Sequence, residues 1–237
     1  MVEIKNFSKS YDGVKKAVND LSLTIEKGDL YGFVGHNGAG KTTLLKSIVG
    51  LIDFEAGDIF VDGISVKRDM MAVKRIIAYV PDNPDVYETM KGIEYLNFIA
   101  DAFKVPQEKR TELIRKYTNM FGMEEVLNQT ISEYSHGMKQ KIVLIGALIH
   151  EPKVMLLDEP FVGLDPQASY LLKQEFKEMC ERGVSIFFST HVLEVVEKLC
   201  NKVAIIKNGK IVESGLTEKI ISNKSLESIF MELAKSS

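Results

Sequence analysis

The sequence is poor in four features that mark large classes of proteins. Its 237 residues include only two cysteines, Cys180 and Cys200, which argues against a disulfide scaffold and favours a reducing compartment. The formal net charge is −3, so the basic excess typical of nucleic-acid-binding proteins is missing. The longest apolar run, IVLIGALI, is far shorter than the roughly 20 residues of a membrane-spanning helix. The first residues, MVEIKNFSKSY, have no apolar signal-peptide core. We therefore expect a cytosolic protein with no nucleic-acid partner and no membrane span of its own.

The order of the apolar patterns predicts an α/β fold. Alternating residues from Leu21 to Ile25 indicate a strand, and Asp62-Gly63 in DIFVDGISV indicates a tight hairpin. Helical spacing dominates from about 85 to 150, whereas the last third alternates strand and helix, which is typical of a mostly parallel sheet. Asp165 and Pro166 suit the N-cap and the first position of one of these helices. We therefore expect one α/β core into which a helical block is inserted.

A glycine-rich segment, GHNGAGKTT, matches the phosphate-binding pattern G-x-x-x-x-G-K-[ST]. The predicted strand LYGFV precedes it and a predicted helix follows, which is the expected context. Its glycines let successive backbone N–H groups point at one anion, and the helix offers its positive end to the phosphates. Lys41 should reach the β- and γ-phosphates, and the Thr42 hydroxyl should ligate Mg²⁺. A glycine-rich turn that binds nothing is the alternative. The predicted ATP-binding residues of this loop are Gly35, Asn37, Gly38, Ala39, Gly40, Lys41, Thr42 and Thr43.

Two carboxylates, Asp158 and Glu159, end the apolar strand pattern VMLLDEP. Adjacent acids at a strand end are costly unless a cation or a reaction uses them. Asp158 therefore suits a residue that helps to hold Mg²⁺, and Glu159 suits a catalytic base that polarises the attacking water. We expect this strand to lie next to the strand of the phosphate loop, with both active ends at one edge of the sheet. A solvated turn after a core strand is the alternative.

His191 follows the next predicted strand, VSIFFS. A right-handed crossover from the acidic strand would bring both strand ends to one edge, where an imidazole N–H could contact the γ-phosphate. A lone histidine at a strand end is more often a surface or satisfied residue, and the residues alone favour that alternative.

The motifs GHNGAGKTT, YSHGMKQ, VMLLDEP, GLD and STH occur in this order over nearly the whole chain. The chain thereby resembles the nucleotide-binding subunit of ATP-binding cassette (ABC) transporters. The resemblance implies a P-loop NTPase cassette with a mostly parallel core sheet, an N-terminal antiparallel β subdomain and an inserted α-helical subdomain. It also implies an ATP hydrolase whose two subunits pair head-to-tail, with each ATP between the P-loop of one subunit and the signature loop of the other.

The resemblance implies a single cassette domain over residues 1–237. Residues 1–84 and 151–222 would form the α/β core with the β subdomain, residues 85–150 the helical subdomain, and residues 223–237 a C-terminal helix. We expect the helical block to be part of one folded unit rather than an independent linked domain.

Further site residues follow from the resemblance. Tyr11, in SKSYDG, matches the aromatic residue that stacks on adenine, whereas the residues alone favour a half-buried tyrosine on an edge strand. Asp165, in VGLD, lies in the loop that communicates across the dimer. The segment YSHGM occupies the signature position that acts on the ATP of the partner subunit. Its implied functional residues are Ser135, His136, Gly137 and Met138.

Two departures from the family pattern concern the signature and the magnesium site. The usual signature is Leu-Ser-Gly-Gly-Gln, and here Tyr134, His136 and Met138 replace its first, third and fifth residues. After AYVP the family usually has glutamine, and this chain has Asp82. A carboxylate binds Mg²⁺ or its water shell more strongly by charge, but it is shorter than glutamine. We expect Asp82 to join Thr42 and Asp158 at the metal.

The predicted helix that begins at Ser135 carries positive charge where a helix normally favours negative charge. Lys139 and Lys141 lie near its positive end, where each costs roughly 0.3–1 kcal/mol in isolation. Ser135 can cap the helix or donate to a phosphate, and Gly137 would clear room for the γ-phosphate. The ATP of the neighbouring subunit would supply the missing negative charge. Lysines that point into solvent are the alternative.

The short cassette, the YSHGMKQK variant and the absence of a long C-terminal regulatory domain look most like the ATPase subunits of bacterial ABC-2-type exporters. This implies a separate transmembrane permease subunit, and a second copy or a paralogous ATPase subunit as the dimer partner. It places the protein on the inner face of the cell membrane. Residues 80–90 would link the ATP site to the helical block, and residues between Tyr87 and Phe103 would form the docking surface. A plain amphipathic helix packed on its own core is the alternative there.

Other functions stay open from the sequence. A soluble cassette ATPase that is not coupled to transport, for example of the Fe–S assembly type, fits the size of the chain. A regulatory nucleotide sensor without turnover would not need Glu159. A GTP-binding switch would need the aspartate that is missing from both NKVA and NKSL.

Overall fold

Two sheets organise the chain in the computed structural model, which describes residues 1–84, 86–222 and 224–235. The predicted loop 80–90 and the predicted helix 223–237 therefore include residues outside this description, namely Asp85, Asn223, Ser236 and Ser237. The strands are β1 (Val2–Ser10), β2 (Lys16–Ile25), β3 (Leu30–Val34), β4 (Ala56–Val61), β5 (Ile64–Ser65), β6 (Ile77–Val80), β7 (Val154–Asp158), β8 (Ser185–Thr190), β9 (Lys202–Lys207) and β10 (Lys210–Leu216).

Helices cover much of the remaining chain. In the described residues they are α1 (Lys41–Ile48), α2 (Met70–Lys74), α3 (Gly92–Ala102), α4 (Gln107–Phe121), α5 (His136–Ile149), α6 (Pro166–Glu181), α7 (Leu193–Leu199), α8 (Thr217–Ile220) and α9 (Leu226–Lys235). Single 3₁₀ turns lie at Glu124–Val126 and Ile131–Glu133. Within the described ranges, no helix has both the length and the apolar character that a membrane crossing requires.

The four-stranded sheet is antiparallel, in the order β2-β1-β4-β5, and the six-stranded sheet has the order β10-β9-β3-β8-β7-β6. In the larger sheet every pairing is parallel except that of β10 with β9. This confirms the predicted α/β class, the mostly parallel core sheet and the antiparallel N-terminal sheet. The sequence patterns predicted no strand for β6 or β10 and no helix for α2.

Local turn chemistry fixes several of these boundaries as predicted. Val61 pairs with Ile64 across the β4–β5 turn, and both turn residues, Asp62 at φ 51° and Gly63 at φ 80°, are left-handed, as a two-residue hairpin requires. The Asp165 side chain accepts a hydrogen bond of 2.8 Å from the Ala168 N–H and so caps α6.

The order of the central strands corrects one prediction. The acidic strand β7 does not lie next to the P-loop strand β3, because β8 lies between them and pairs in parallel with both. The prediction of direct neighbours is therefore wrong. The carboxyl ends of all three strands still meet at one edge, and β8 contributes its own polar residues between the phosphate loop and the acids.

Apolar clusters cover both faces of the six-stranded sheet. Alternation along the strands divides the side chains, so that Phe187 packs toward α1 and the antiparallel sheet whereas Phe188 packs toward the helical side. On the helical side, Leu96 of α3 and Ile145 of α5 belong to the same apolar cluster as Leu157 and Phe188 of the sheet. Each fully buried side chain of this size contributes about 1.5–3 kcal/mol. The helical block and the sheet therefore share one continuous core.

Candidate nucleotide-binding site

A cavity of about 380 Å³ opens where β3, β6 and β7 end, beside the first turn of α1. It gathers the P-loop, the acidic pair and Asp82 from three separate parts of the sequence. All of its lining residues except Ala17 are predicted from the sequence. The lining residues are Tyr11, Ala17, Asn37, Gly38, Gly40, Lys41, Thr42, Thr43, Asp82, Asp158 and Glu159.

The P-loop has a backbone shape that requires glycine. Gly40, the N-cap of α1, has φ 111°, and a Cβ there would lie 2.6 Å from the carbonyl oxygen of Ala17. This close approach explains why Ala17 borders the cavity, and no signal in the sequence pointed to it. Gly35 and Ala39 are buried, so these two predicted residues support the loop rather than line the cavity.

Lys41 is a buried cation at the base of this cavity, 6% exposed. Its Nζ donates to the carbonyl oxygens of Gly35 at 2.7 Å and His36 at 3.3 Å. Burial lowers the pKa of Lys41, and the negative charges of Glu159, Asp158 and Asp82 oppose that shift. A buried ammonium held by a glycine-rich loop before a helix is suited to an anion such as phosphate.

Asp158 connects α1 to β8. Its Oδ2 accepts a hydrogen bond of 2.5 Å from the Thr42 hydroxyl, and its Oδ1 accepts one from the Ser189 hydroxyl. Ser189 was not predicted from the sequence, because the STH motif indicates a role only for its histidine. The Thr42 hydroxyl and the Asp158 carboxylate thus lie together, and both are hard oxygen ligands of the type that Mg²⁺ prefers.

Asp82 adds a third carboxylate to the cavity. Burial raises the pKa of Asp82, and the negative charges of Asp158 and Glu159 raise it further. A divalent cation would offset this repulsion. In the described part of the chain, no group of three or more His, Cys, Asp or Glu side chains could hold a metal ion by itself. The residues present therefore fit Mg²⁺ that is shared with nucleotide phosphates, which is the usual mode of Mg²⁺ binding, rather than a protein-only metal cage.

The charge on Asp82 gives a pH-dependent prediction. The pKa of Asp82 is raised in the folded protein, so the protonated carboxyl stabilises the fold. This contribution to stability is fully present below the ordinary pKa of 3.8 and is lost as pH rises through the raised pKa. Asp82→Asn should therefore melt about 1–3 °C higher than the wild type at pH 7.5, with a difference that shrinks toward pH 4. Differential scanning fluorimetry of nucleotide-free protein measures this. Asp58→Asn, on an exposed position of β4, is the control. A lower melting temperature for Asp82→Asn at neutral pH would contradict the assignment.

Glu159 is held in an unusual backbone conformation. Its φ of 50° lies in the left-handed region, which costs a non-glycine residue on the order of 1–3 kcal/mol and often marks a functional site. Its Oε2 accepts a hydrogen bond of 2.9 Å from the Thr190 hydroxyl, and its Oε1 lies 2.8 Å from His191 Nδ1. Residues at the end of β8 therefore aim this buried carboxylate, which does border the cavity as predicted.

His191 contacts Glu159 but does not itself line the cavity. Its side chain is 57% exposed, whereas that of Glu159 is 11% exposed. The contact of His191 with a γ-phosphate stays a prediction. The histidine lies at the correct edge of the sheet, because β7 and β8 are adjacent and parallel.

Tyr11 follows β1 at the mouth of the cavity and is 65% exposed. It is therefore not the half-buried tyrosine that the residues alone favoured. Its hydroxyl lies 3.2 Å from Thr43 Oγ1, which ties the ring to the first turn of α1. Stacking on adenine stays a prediction for this exposed ring.

The signature residues lie apart from this cavity. Ser135 caps α5 by accepting a hydrogen bond of 3.3 Å from the Met138 N–H, and it is exposed. A Cβ on Gly137 would lie 2.5 Å from the carbonyl oxygen of Gly163. The structure thus supplies an intrachain reason for this glycine, namely the close approach of the signature loop to the loop before α6. Its role in clearing room for a phosphate stays a prediction.

The two lysines of the signature helix are paired within the chain. Lys139 forms an ion pair with Glu88, and Lys141 Nζ lies 2.6 Å from Asp165 Oδ2. The alternative in which both lysines simply point into solvent is therefore wrong. The hydrogen bond from Lys141, together with that from the Ala168 N–H, holds the pKa of Asp165 below its usual range. Asp165 thereby joins the signature helix to α6.

Comparison with known proteins agrees with this geometry. The family model described as ABC transporter matches residues 18–162. ABC transporter ATP-binding protein NatA of Bacillus subtilis (strain 168) is 33% identical over 233 residues, which cover 97% of this chain and 95% of that protein. Linearmycin resistance ATP-binding protein LnrL of the same organism is 31% identical over 222 residues, covering 94% of this chain and 71% of that protein.

A solved structure described as the ATP binding subunit of an ABC transporter aligns with a TM-score of 0.94 and 30% identity, over 99% of both chains. This similarity covers both sheets, the helical block and the cavity together. The chain therefore belongs to the ABC transporter family, as an ATP-binding subunit of the type that hydrolyses ATP.

Proposed function

We propose that this subunit powers export through a separate membrane subunit, by closing head-to-tail on ATP with a second cassette. One observation supports the proposed head-to-tail dimer most directly. The P-loop cavity contains Lys41 and Glu159, whereas Ser135 and the adjoining signature residues, all in the described chain, do not line it. An exposed helix end, where the first backbone N–H groups have no partner within the helix itself, is suited to an anion that comes from another molecule. Each ATP would then lie between the P-loop of one subunit and the signature of the other.

Within each site, the residues of this chain divide the work. Lys41 and the loop N–H groups bind the phosphates, and Tyr11 stacks on the base. Thr42 and Asp158, with Asp82, would hold Mg²⁺, which supplies charge neutralisation at the phosphates when it is bound. Glu159 accepts a proton from the attacking water, while Thr190 and His191 keep its carboxylate oriented.

Closure needs both nucleotides, because each bound ATP completes a site from two chains. Hydrolysis removes the γ-phosphate that joins them, and the dimer reopens. The second cassette is another copy of this chain or a paralogue.

The division into a core (1–84 and 151–222), a helical subdomain (85–150) and a C-terminal helix (223–237) belongs to the same proposal.

Export is favoured by the YSHGMKQK signature, which resembles that of ABC-2-type exporters, and by similarity to a protein named for linearmycin resistance. This subunit would lie on the inner face of the cell membrane, against its permease. A cassette ATPase outside transport is not favoured, since the relatives described above are transporter ATP-binding proteins or a resistance ATP-binding protein. The buried and oriented Glu159 also argues for turnover rather than mere nucleotide sensing.

An exposed aromatic pair supports a docking surface for the permease on the helical block. Tyr87 is 58% exposed and Phe98 of α3 is 45% exposed, and their rings meet edge to face with centroids 5.5 Å apart. Exposed aromatic side chains of this kind often carry much of the binding energy at interfaces. The expected occupant is a short apolar element of the membrane subunit at its cytoplasmic surface.

Phe98→Asp should weaken binding to the membrane subunit at least about tenfold, because it places a charge in the apolar contact. The subunit is purified together with its membrane partner, and binding and hydrolysis are measured before and after their separation. Hydrolysis by the isolated variant should equal that of the isolated wild type. Met71→Asp, at an exposed apolar position of α2, is the matched control. Full retention of binding and coupled hydrolysis in Phe98→Asp would exclude this docking surface.

A further inference from the structure

We infer that the ion pair between Glu88 and Lys139 positions the signature residues from the docking surface. Lys139 is then a positioning residue rather than a ligand of ATP. This inference rests on the proposed function, since it assigns a task to the segment between the docking surface and the signature. Three groups of contacts in one chain carry it.

The first group is a short ladder of backbone hydrogen bonds. The Ser132 N–H donates to the Glu88 carbonyl oxygen at 2.9 Å, and the Ile131 N–H donates to the Met90 carbonyl oxygen, also at 2.9 Å. Lys91 and Thr130 form an antiparallel bridge next to these bonds. The segment that follows Tyr87 is therefore paired, residue by residue, with the segment that leads to Ser135.

The second contact locks this ladder against the start of α3. Tyr134, directly before Ser135, is 5% exposed, and its hydroxyl donates to the Val126 carbonyl oxygen at 2.8 Å. That hydroxyl lies 2.2 Å from the position of a Cβ on Gly92. Only glycine admits this tyrosine, so the entry to the signature is packed directly on the first residue of α3.

The third contact is the ion pair itself. Lys139 lies in the first turn of α5 and its side chain is 20% exposed, whereas that of Glu88 is 59% exposed. Two residues further along α5, Lys141 pairs with Asp165. Ion pairs thus hold the start of α5 from two directions, by the loop before α6 and by the segment next to Tyr87.

A cavity beside the ion pair is bordered both by signature residues and by residues that follow Asp82. A cavity of about 300 Å³ separates His136 and Lys139 from Asn83, Pro84 and Val86, with Glu88 at its border. Asn83 directly follows Asp82 of the ATP site, and Glu88 directly follows Tyr87 of the docking surface. A displacement of Tyr87 by the membrane subunit therefore passes to Glu88, through the ion pair to Lys139, and so to the cap at Ser135.

Charge reversal in the full-length chain tests the inference. Lys139→Glu and Glu88→Lys each place two like charges together, and the double variant restores opposite charges. Each single variant should lower hydrolysis about three- to tenfold at fixed protein concentration, and should raise the protein concentration needed for half-maximal hydrolysis. The double variant should return to within about twofold of the wild type. Lys198→Glu, in the exposed Glu194–Lys198 pair of α7, is the control and should leave hydrolysis unchanged.

Binding of a fluorescent ATP analogue to the monomer, and the melting temperature, separate positioning from damage. Both should match the wild type in every variant. Single variants with wild-type hydrolysis would overturn the inference, as would a double variant that fails to recover. Loss of ATP binding by the Lys139→Glu monomer would make Lys139 part of the nucleotide site, which also overturns it. If the wild type itself shows no dependence of hydrolysis on protein concentration, the proposed dimer fails, and this inference fails with it.

Discussion

Glu159→Gln should lower phosphate release by about 10²–10⁴-fold while ATP binding is retained, because it removes a general base and little else. The amide oxygen of the variant can still accept the hydrogen bond that the Thr190 hydroxyl donates to the native carboxylate at 2.9 Å. Its volume is nearly unchanged in a side chain that is 11% exposed. The fold should therefore be preserved while the proton acceptor is lost.

The same substitution should make the ATP-bound dimer accumulate. It removes one of the three carboxylates, Asp82, Asp158 and Glu159, that border the cavity, which lessens the repulsion of the triphosphate. It also stops the step that reopens the dimer. Size-exclusion chromatography with ATP and Mg²⁺ should show a dimer for the variant at concentrations where the wild type is a monomer.

Glu178→Gln is a suitable control, since this glutamate of α6 is 60% exposed and does not line the cavity. It should hydrolyse ATP at the wild-type rate. Unchanged turnover in Glu159→Gln would exclude Glu159 as the base. A loss of ATP binding would instead indicate that the residue mainly serves the fold or the nucleotide pocket.

Ser135→Arg should abolish hydrolysis and leave ATP binding by the monomer nearly intact. Ser135 is exposed and does not line the cavity of its own chain, so we expect a larger side chain there to leave the ATP pocket of the same molecule intact. In a head-to-tail dimer, it would occupy the place of the γ-phosphate from the partner. The expected result is turnover at background level, with an unchanged dissociation constant for a fluorescent ATP analogue.

The loss of the helix cap must be separated from this steric effect. Ser135 accepts one hydrogen bond, from the Met138 N–H, and such caps contribute about 0.5–2 kcal/mol. Ser135→Ala removes the cap without adding bulk and should retain more hydrolysis than Ser135→Arg. Ser222→Arg adds the same side chain at an exposed serine elsewhere. If the Ser135→Arg monomer fails to bind ATP, the signature acts within its own chain and the shared site is wrong.

The sequence predicts the parts of the site that are local in the chain. The glycine spacing of the P-loop, the acids Asp158 and Glu159 and the cap at Asp165 depend on residues within one turn or strand end, so short patterns specify them. The resemblance added Tyr11 and Asp82, which lie far from the P-loop in sequence but border the same cavity. Their position depends on sheet order, which a local pattern does not encode.

What the sequence did not predict depends on contacts between distant segments. Glu88 and Lys139 are 51 residues apart, so no local pattern predicts that they pair. For that reason the sequence predicted unfavourable positive charge at the start of α5. The sequence predicted that Gly137 clears room for a ligand. Its close approach to Gly163 could not be predicted, because it arises only when α5 packs beside the loop before α6. The intervening strand β8 likewise places Ser189 and Thr190 on the acids, although their sequence pattern is that of a plain buried strand.

The continuous apolar core described above limits how the helical block can move. Leu96 and Ile145 share one cluster with Leu157 and Phe188, so a wide hinge opening between block and sheet would expose apolar surface to water. Small sliding displacements keep that surface covered, because close-packed side chains can stay in contact during a shift of an ångström or two. Shear, rather than hinge bending, is therefore the motion available to α3, α4 and α5 against the sheet.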